Sequence, residues 1–244
     1  MKTYLSCIPC FARQSLEAAK KLSDDVEIQT EIMRRTLKSL SEMDFNQPPP
    51  VMKQTIDHII TELIGDNDPY SLDKVRLNRF ALDIYPELQR KVRNSPHPFL
   101  TSLKLTIAGN IIDMGVYGES VHERILESVE ESLQMEIPEG IVDRLQREIS
   151  SAESILYVGD NAGEIVFDKL FIEESIPPDK VTFVVRGKPV INDATLKDAV
   201  DIGLPELVDV VDDGNDVPGL IPEKAPAGLQ QLYREADLII AKGQ

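Results

Sequence analysis

The spacing of apolar residues divides the chain into a helical part and a part in which strands and helices alternate. In the first 150 residues, apolar side chains recur at intervals of three and four, which is the period of an amphipathic helix. Prolines fall at or near several of the predicted boundaries. The pattern predicts helices at 8–22, from the cap Asp24 to about Met43, and at 51–64, 71–93, 98–114, 119–134 and 138–150.

After about residue 153, short apolar runs rich in β-branched residues replace this pattern. They predict strands at 155–158, 181–185, 207–211 and 238–241, with helices at 163–174, 193–202 and 226–236 between them. Alternating strands and helices favour a parallel sheet with right-handed crossovers. We therefore predict an α/β fold with a mostly parallel sheet. Its regions are a helical region at 1–150 and an α/β metal- and phosphate-binding region at 151–244.

Charge and composition limit the classes of function. The 244 residues have a formal net charge of −16, which argues against nonspecific binding to nucleic acid or to anionic membranes. No apolar run is long enough for a membrane span, and the N-terminal residues lack the apolar region of a signal peptide. We therefore expect a cytoplasmic protein without a nucleic-acid or membrane partner; the sequence does not define an oligomeric state.

The second half of the chain contains neither cysteine nor histidine. A metal held entirely by that half must therefore bind oxygen ligands, which favours hard cations such as Mg²⁺ or Mn²⁺. That half also has 8 Lys and Arg against 18 Asp and Glu, so a site there for an anionic substrate needs a metal ion or a few well-placed cations.

The loop after the first predicted strand reads Gly159-Asp160-Asn161-Ala162-Gly163-Glu164. A strand that leads into a helix leaves backbone N–H groups, here those of Ala162 and Gly163, that can bind phosphate. The side-chain oxygens of Asp160 and Asn161 are hard ligands for a metal ion, but Asp and Asn are also common helix caps. Glu164 benefits from the helix dipole under either interpretation.

Asp193 occupies an equivalent position, where the second strand leads into the next helix. Parallel strands end at one edge of the sheet, so Asp160 and Asp193 are predicted to lie at that edge, where their charges repel. A metal ion between them removes the repulsion. Capping remains the other interpretation of Asp193.

Other polar residues also have two interpretations. Lys242, after the last strand, reaches a phosphate oxygen or is solvated, and the same holds for Arg186 and Lys188. Asn110 and Asp113 share one face of a helix and either line a cleft or form a structural pair. The acidic residues after the third strand are interpreted as a surface turn: Asp212, Asp213 and Asp216.

Cys7 and Cys10 have a C-x-x-C spacing, which is half of a zinc or iron–sulfur site. The chain has no second pair, and its three histidines lack the spacing of ligands. We interpret the pair as two thiols on one helix.

Taken together, five motifs in this order resemble the damage-control phosphatases, a metal-dependent family once classed as a domain of unknown function. The resemblance is to its prokaryotic subgroup, which has an N-terminal C-x-x-C. The motifs span nearly the whole chain: Cys7-Ile8-Pro9-Cys10, Ala108-Gly109-Asn110-Ile111-Ile112-Asp113, Gly159 to Glu164, Asn192-Asp193-Ala194-Thr195 and Lys242-Gly243-Gln244.

The resemblance implies a three-layer α/β/α sandwich with an N-terminal helical region. It implies that Asp160, Asn161 and Asp193 hold a divalent cation (Mn²⁺, Mg²⁺, Co²⁺ or Ni²⁺) and are the catalytic residues. It also implies that the substrate-binding residues are those of the loop that ends in Ala162, Gly163 and Glu164, with Asn110, Asp113 and Lys242. The expected activity is hydrolysis of small phosphorylated metabolites, such as sugar phosphates, in metabolite damage control.

One departure concerns the end of the chain. In the family the Lys-Gly-Gln motif continues with Gly-Asn and further residues, whereas this sequence stops at Gln244, so we expect the C-terminal region to be incomplete. Two other functions stay open at this point. One is a noncatalytic protein that binds metal or a phosphorylated metabolite, and the other is a nucleotide-binding or methyltransferase-like domain. The first loop lacks the G-x-G-x-x-G spacing of a dinucleotide site.

Overall fold

The computed structural model describes residues 2–65, 68–110 and 121–242. No helix in these ranges is long and apolar enough to cross a membrane. The helices are α1 (Cys7–Leu22), α2 (Val26–Ser41), α3 (Pro49–Ile64), α4 (Ser71–Arg93), α5 (Pro98–Gly109), α6 (Val121–Gln134), α7 (Glu139–Ser151), α8 (Glu164–Ser175), α9 (Leu196–Asp201) and α10 (Ala227–Glu235). The strands are β1 (Ile155–Val158), β2 (Val181–Val185), β3 (Asp209–Asp212) and β4 (Leu238–Ala241).

The four strands form one parallel sheet in the order β3-β2-β1-β4, which confirms the predicted fold class. In the register, Leu156 of β1 lies opposite Thr182 of β2 and Ile239 of β4. The strand β2 pairs with one side of β1, and β3 extends the sheet beyond β2. The strand β4 pairs with the other side of β1. The sheet therefore has a topological switch point between β1 and β4, where ligands bind in folds of this type.

Alternate residues of β1 enter two different cores, as the pleat of a strand requires. Ile155 and Tyr157 belong to the large core formed with α4, α5 and α8, whereas Leu156 and Val158 pack in a smaller one that includes Leu229 of α10. Helices thus cover both faces of the sheet, in agreement with a sandwich of three layers. The burial of both faces explains why the strands read as continuous apolar runs.

Compact packing divides the chain into two units. The first comprises Met1–Ser71 with Asp216–Gly219, and its core contains apolar residues of α1, α2 and α3. The second comprises Leu72–Asn215 and Leu220–Gln244 and contains the sheet. The change from helices to alternating strands and helices near residue 150 lies inside the second unit.

Several element boundaries differ from the sequence prediction for local reasons. The third strand begins at Asp209, because a turn in which the Leu207 N–H donates to the Leu204 carbonyl precedes it. The helix α9 begins at Leu196, because a β-bridge between Thr195 and Arg186 keeps the preceding residues extended. The helix α5 ends at Gly109, and the predicted continuation to 114 lies outside the described residues.

Cys7 and Cys10 lie in the first turn of α1 as free, partly buried thiols. This agrees with two thiols on one helix. Within the described part of the chain, no cluster of three or more His, Cys, Asp or Glu side chains is arranged to hold a metal ion.

Gly159, directly after β1, is expected to be intolerant of a larger residue. A Cβ atom there would lie 2.5 Å from two ring atoms of Phe183, which is fully buried and cannot move aside. We expect Gly159→Ala to lower the free energy of unfolding by about 2–3 kcal/mol, measured by urea denaturation. At Gly140 of α7, no atom lies within 4 Å of the position that a Cβ would take, so Gly140→Ala is the matched control and should leave stability unchanged or slightly higher. Equal stability of the two variants would show that the close approach of Phe183 does not restrict residue 159.

Candidate functional site

The loops that follow β1 and β2 pair with each other at the carboxyl edge of the sheet. The Ala162 N–H donates to the Asn192 carbonyl at 2.8 Å, and the Ala194 N–H donates to the Asp160 carbonyl at 2.7 Å. Between these two hydrogen bonds, Asn161 and Asp193 form an antiparallel β-bridge. The structure therefore brings Asp160, Asn161 and Asp193 together.

The interpretation of these three residues as helix caps is wrong. The N-cap of α8 is Gly163, with a φ of 83°. The N-cap of α9 is Thr195, which forms a capping box with Asp198. Asp160 and Asn161 lie before the cap of α8, and Asp193 lies before the cap of α9, so another reason is needed for three polar side chains at this place.

Each of the three side chains has one oxygen atom that no described residue hydrogen-bonds and that is therefore available to bind a metal ion. The Oδ2 atom of Asp160 accepts a hydrogen bond from Asn161 Nδ2 at 2.9 Å, and Asp193 Oδ2 accepts one from Arg186 Nε at 2.8 Å. The Oδ1 atoms of Asp160, Asn161 and Asp193 accept no hydrogen bond from the residues that the structure describes. Carboxylate and amide oxygens are the ligands that Mg²⁺ and Mn²⁺ prefer.

Both carboxyl groups hold their protons more tightly than usual. Burial raises the pKa of Asp160 to about 7, and the neighbouring charges of Asp193 and Glu164 add to this effect. Burial also raises the pKa of Asp193 to about 6, although the Arg186 guanidinium opposes the shift. A cation beside the pair would offset both the burial and the repulsion. The donor set of two carboxylates and one amide therefore fits a hard divalent cation.

A buried arginine holds Asp193 in place. Arg186 is 3% exposed, and its Nε and Nη1 atoms donate to Asp193 and Asp213 respectively, each at 2.8 Å. Asp213 is fully buried and also accepts a hydrogen bond from the Gly187 N–H at 2.9 Å. The prediction of a surface turn is therefore wrong for Asp213. Arg186 and Asp213 follow the neighbouring strands β2 and β3, a signal from which their pairing could have been predicted.

Lys242, directly after β4, is enclosed by acceptors. Its ammonium group lies 2.6 Å from Glu164 Oε1 and 3.0 Å from Asp168 Oδ1, and it donates to the Thr106 carbonyl at 2.8 Å. These three acceptors match the three protons of an ammonium group. A phosphate would have to replace one of them, so the predicted contact between Lys242 and a phosphate stays a prediction.

Asp168 was not predicted from the sequence. It is fully buried on α8, where its Oδ1 atom accepts hydrogen bonds from the hydroxyl groups of Thr106, at 2.5 Å, and Tyr157, at 2.8 Å. Its Oδ2 atom is buried without a hydrogen-bond partner among the described residues. Burial raises the pKa of Asp168, although the Lys242 ammonium group opposes the shift. The signal in the sequence was a single acidic residue in the apolar stretch of α8.

Glu164 connects the two parts of the site. It is fully buried, and its carboxylate accepts hydrogen bonds from the Nδ2 atoms of both Asn110 and Asn161, each at 3.1 Å to the nearer oxygen. Asn161 Nδ2 thus contacts both Asp160 and Glu164. Asn110 lies beside the site as expected, and Asp113 lies outside the described residues.

The backbone N–H groups of the first loop are already in use. The Ala162 N–H donates to the Asn192 carbonyl, and the Gly163 N–H donates to Asn78 Oδ1 at 2.6 Å. The expectation that these two N–H groups are free to bind a phosphate is therefore wrong. They fix the loop instead.

Comparison with known proteins places this chain in a family. The family model described as the damage-control phosphatase ARMT1-like domain matches residues 3–244. A protein of Archaeoglobus fulgidus named damage-control phosphatase is 34% identical over all of this chain and 85% of its own length. A damage-control phosphatase of Pyrococcus horikoshii is 31% identical, again over the whole of this chain and 84% of its own length.

A solved structure agrees with the sequence comparison. The crystal structure of a duf89 family protein from Pyrococcus horikoshii superimposes with a TM-score of 0.87 at 28% identity, over 100% of this chain and 85% of that one. An uncharacterized protein of Methanocaldococcus jannaschii is 33% identical over 97% of this chain and 79% of its own length. By sequence and by fold, this chain belongs to the ARMT1-like damage-control phosphatase family.

Proposed function

We propose that this protein is a metal-dependent phosphatase that hydrolyses small phosphorylated metabolites, sugar phosphates among them. The observation that supports this best is the group formed by Asp160, Asn161 and Asp193, each with one available oxygen, beside the switch point of the sheet. The family and the names of two relatives support a phosphatase. We propose Mn²⁺, Mg²⁺, Co²⁺ or Ni²⁺ as the metal.

The charge of the site supports a cation as part of it. When all groups are ionised, negative charges outnumber positive ones by five to two, so a phosphate dianion cannot bind without further positive charge. The acids are Asp160, Asp193, Asp213, Glu164 and Asp168, and the cations are Lys242 and Arg186.

Hydrolysis of a phosphomonoester forms a bond between a water oxygen and phosphorus, while the bond from phosphorus to the substrate oxygen breaks. The water loses a proton, and the leaving oxygen gains one. When bound, a divalent cation would neutralise the charge of the phosphoryl oxygens and lower the pKa of the attacking water. Asp160, Asn161 and Asp193 would hold the cation, and Asp160 would then be less suited to attack phosphorus itself, which is the alternative mechanism.

The surrounding residues keep these ligands in position. Arg186 fixes one oxygen of Asp193, and Asn161 links Asp160 to Glu164. Lys242 neutralises part of the charge of Glu164 and Asp168. Burial lowers the pKa of Lys242, but the carboxylates of Asp168 and Glu164 together raise it by more, so Lys242 keeps its proton. Together they preorganise the site and avoid reorganisation during the reaction.

Removal of a proposed metal ligand should impair catalysis. Asp193→Ala removes one carboxylate and should lower the turnover of sugar phosphates by at least about 100-fold, because the cation loses a ligand. Release of inorganic phosphate is measured with a panel of sugar phosphates and each of the four metals, with a chelator as the metal-free reference. Asp201→Ala, which removes an exposed carboxylate at the end of α9, is the matched control. Unchanged turnover in Asp193→Ala would show that the assignment of the metal is wrong.

Calorimetry combined with the phosphate assay separates catalysis from binding. Calorimetry with a sugar phosphate, with and without Mn²⁺, detects a complex, and the phosphate assay then detects its hydrolysis. Metal-dependent binding without release of phosphate would support the noncatalytic alternative and contradict the proposed activity.

The stability of the metal-free protein should depend on pH through Asp160. This residue has a pKa of about 7 in the folded chain against an ordinary value of 3.8, so the folded state binds more protons than the unfolded state between these values. Stability from this group is fully present below about pH 4 and is lost as the pH rises through about 7. We expect the free energy of unfolding in chelator to fall over this range by about 1–3 kcal/mol.

Asp160→Asn removes the titrating group and should make this pH dependence flatter. Urea denaturation at several pH values measures it, with Asp201→Asn as the control that keeps the wild-type slope. A slope in Asp160→Asn equal to that of the wild type would contradict the role given to Asp160.

A further inference from the structure

Asn78, in the first half of α4, contacts the loop after β1 and the helix α9, which follows the loop that contains Asp193. It is 3% exposed and lies 85 residues before the first of these contacts in sequence. Its side-chain amide has one acceptor, which binds the loop after β1, and one donor group, which binds Asp198 of α9. Its function was not apparent from the sequence.

The acceptor side of Asn78 binds the loop after β1. The Gly163 N–H donates to Asn78 Oδ1 at 2.6 Å, three residues after Asp160. The approach of α4 is close at this point, because a Cβ atom on Gly163 would lie 3.0 Å from the Cβ atom of Leu77. The position of Gly163, with its φ of 83°, is therefore defined by α4.

The donor side of Asn78 binds the segment after β2. Asn78 Nδ2 donates to Asp198 Oδ1 at 3.0 Å. The other oxygen of Asp198 accepts hydrogen bonds from the Thr195 N–H, at 2.9 Å, and from the Thr195 hydroxyl, at 2.7 Å. Thr195 lies two residues after Asp193, so Asn78 is connected to this metal ligand through the capping box of α9.

We infer that Asn78 is a positioning residue that sets the relative position of Asp160 and Asp193 and so tunes the affinity of the site for its divalent cation. The inference rests on the proposed function, because it concerns the same metal site. Only a side chain with an acceptor and a donor at this reach satisfies both the Gly163 N–H and the Asp198 carboxylate. Residues that orient the ligands of a metal site typically change the metal affinity by about 10- to 100-fold when they are replaced. Asn78 orients these ligands through the Gly163 backbone and through Asp198 and Thr195.

The test exchanges the side-chain amide of Asn78 with the carboxylate of Asp198. Asn78→Asp places a carboxylate against that of Asp198, and Asp198→Asn leaves the two donor groups of Thr195 and the amide of Asn78 competing for one amide oxygen. In the double variant Asn78→Asp with Asp198→Asn, the new amide donates to the new carboxylate, the Gly163 N–H keeps an acceptor, and the amide oxygen at 198 accepts from Thr195. The negative charge also stays within the cluster, where Lys74 Nζ lies 3.5 Å from Asp198 Oδ2.

The expected result is a loss in each single variant and recovery in the double variant. Calorimetric titration with Mn²⁺ should give a Kd raised at least about 10-fold in Asn78→Asp and in Asp198→Asn. The Kd of the double variant should lie within about 3-fold of the wild-type value, since the coupling of the two positions is what a double-mutant cycle measures. Asn78→Ser serves as a third variant, because a serine side chain is too short to reach both the Gly163 N–H and the Asp198 carboxylate.

The matched control is Ser102→Ala on α5. Ser102 is 1% exposed, and its hydroxyl hydrogen-bonds to Ser175 at 2.6 Å, so the variant loses a buried hydrogen bond outside the site. It should lower the Tm without the metal and leave the Kd for Mn²⁺ unchanged. A lower Tm with an unchanged Kd in the Asn78 variants would show a purely structural role and overturn the inference.

Two results distinguish this inference from the proposed function. If the wild-type protein binds none of Mn²⁺, Mg²⁺, Co²⁺ and Ni²⁺, or if Asp193→Ala binds the metal equally well, the proposed function fails. If Asp193→Ala abolishes binding while Asn78→Ser keeps the wild-type Kd, the metal site stands and the inference about Asn78 is wrong. If the single variants do not fold, a folded double variant with a Kd far above the wild-type value also overturns it.

Discussion

The site depends on the pairing of two loops that follow neighbouring parallel strands. Two backbone hydrogen bonds, from Ala162 to Asn192 and from Ala194 to Asp160, hold the loops against each other. They place carboxylates close together in a partly buried position, which is unfavourable for two like charges. Backbone pairing is insensitive to charge, and so it can maintain an arrangement that the side chains alone would not adopt.

The surroundings of the pair reduce its electrostatic cost without removing it. Arg186 compensates one carboxylate of the pair and one further acid, and Lys242 stands between Glu164 and Asp168. Each cation is thus shared by two acids, which leaves the site with an excess of negative charge. A protein that only required stability would replace such groups with apolar residues. The excess is instead consistent with a site that is completed by a bound cation.

Much of the fold and part of the site could be predicted from the sequence. The strands form continuous apolar runs because both faces of the sheet are covered, and parallel strands bring their carboxyl ends to one edge. This is sufficient to place Asp160 near Asp193. Asp168 and Asn78 were missed for a different reason, since a helix position becomes part of the site only through packing with elements far away in sequence. Whether the N–H groups of Ala162 and Gly163 are free or hydrogen-bonded also depends on such packing. The local sequence motif carries no information about it.

The enclosure of Lys242 has a consequence for the order in which the protein is assembled. Glu164 and Asp168 are fully buried, yet their cation lies 74 or more residues later in the chain. During synthesis α8 is therefore complete long before the charge that balances its two acids. Burial of both carboxylates in ionised form is unfavourable until then, so the packing of α8 is energetically coupled to the placement of Lys242 beside it. The end of β4 thus contributes to the core through the charge of Lys242, which follows it, as well as through the apolar side chains of the strand.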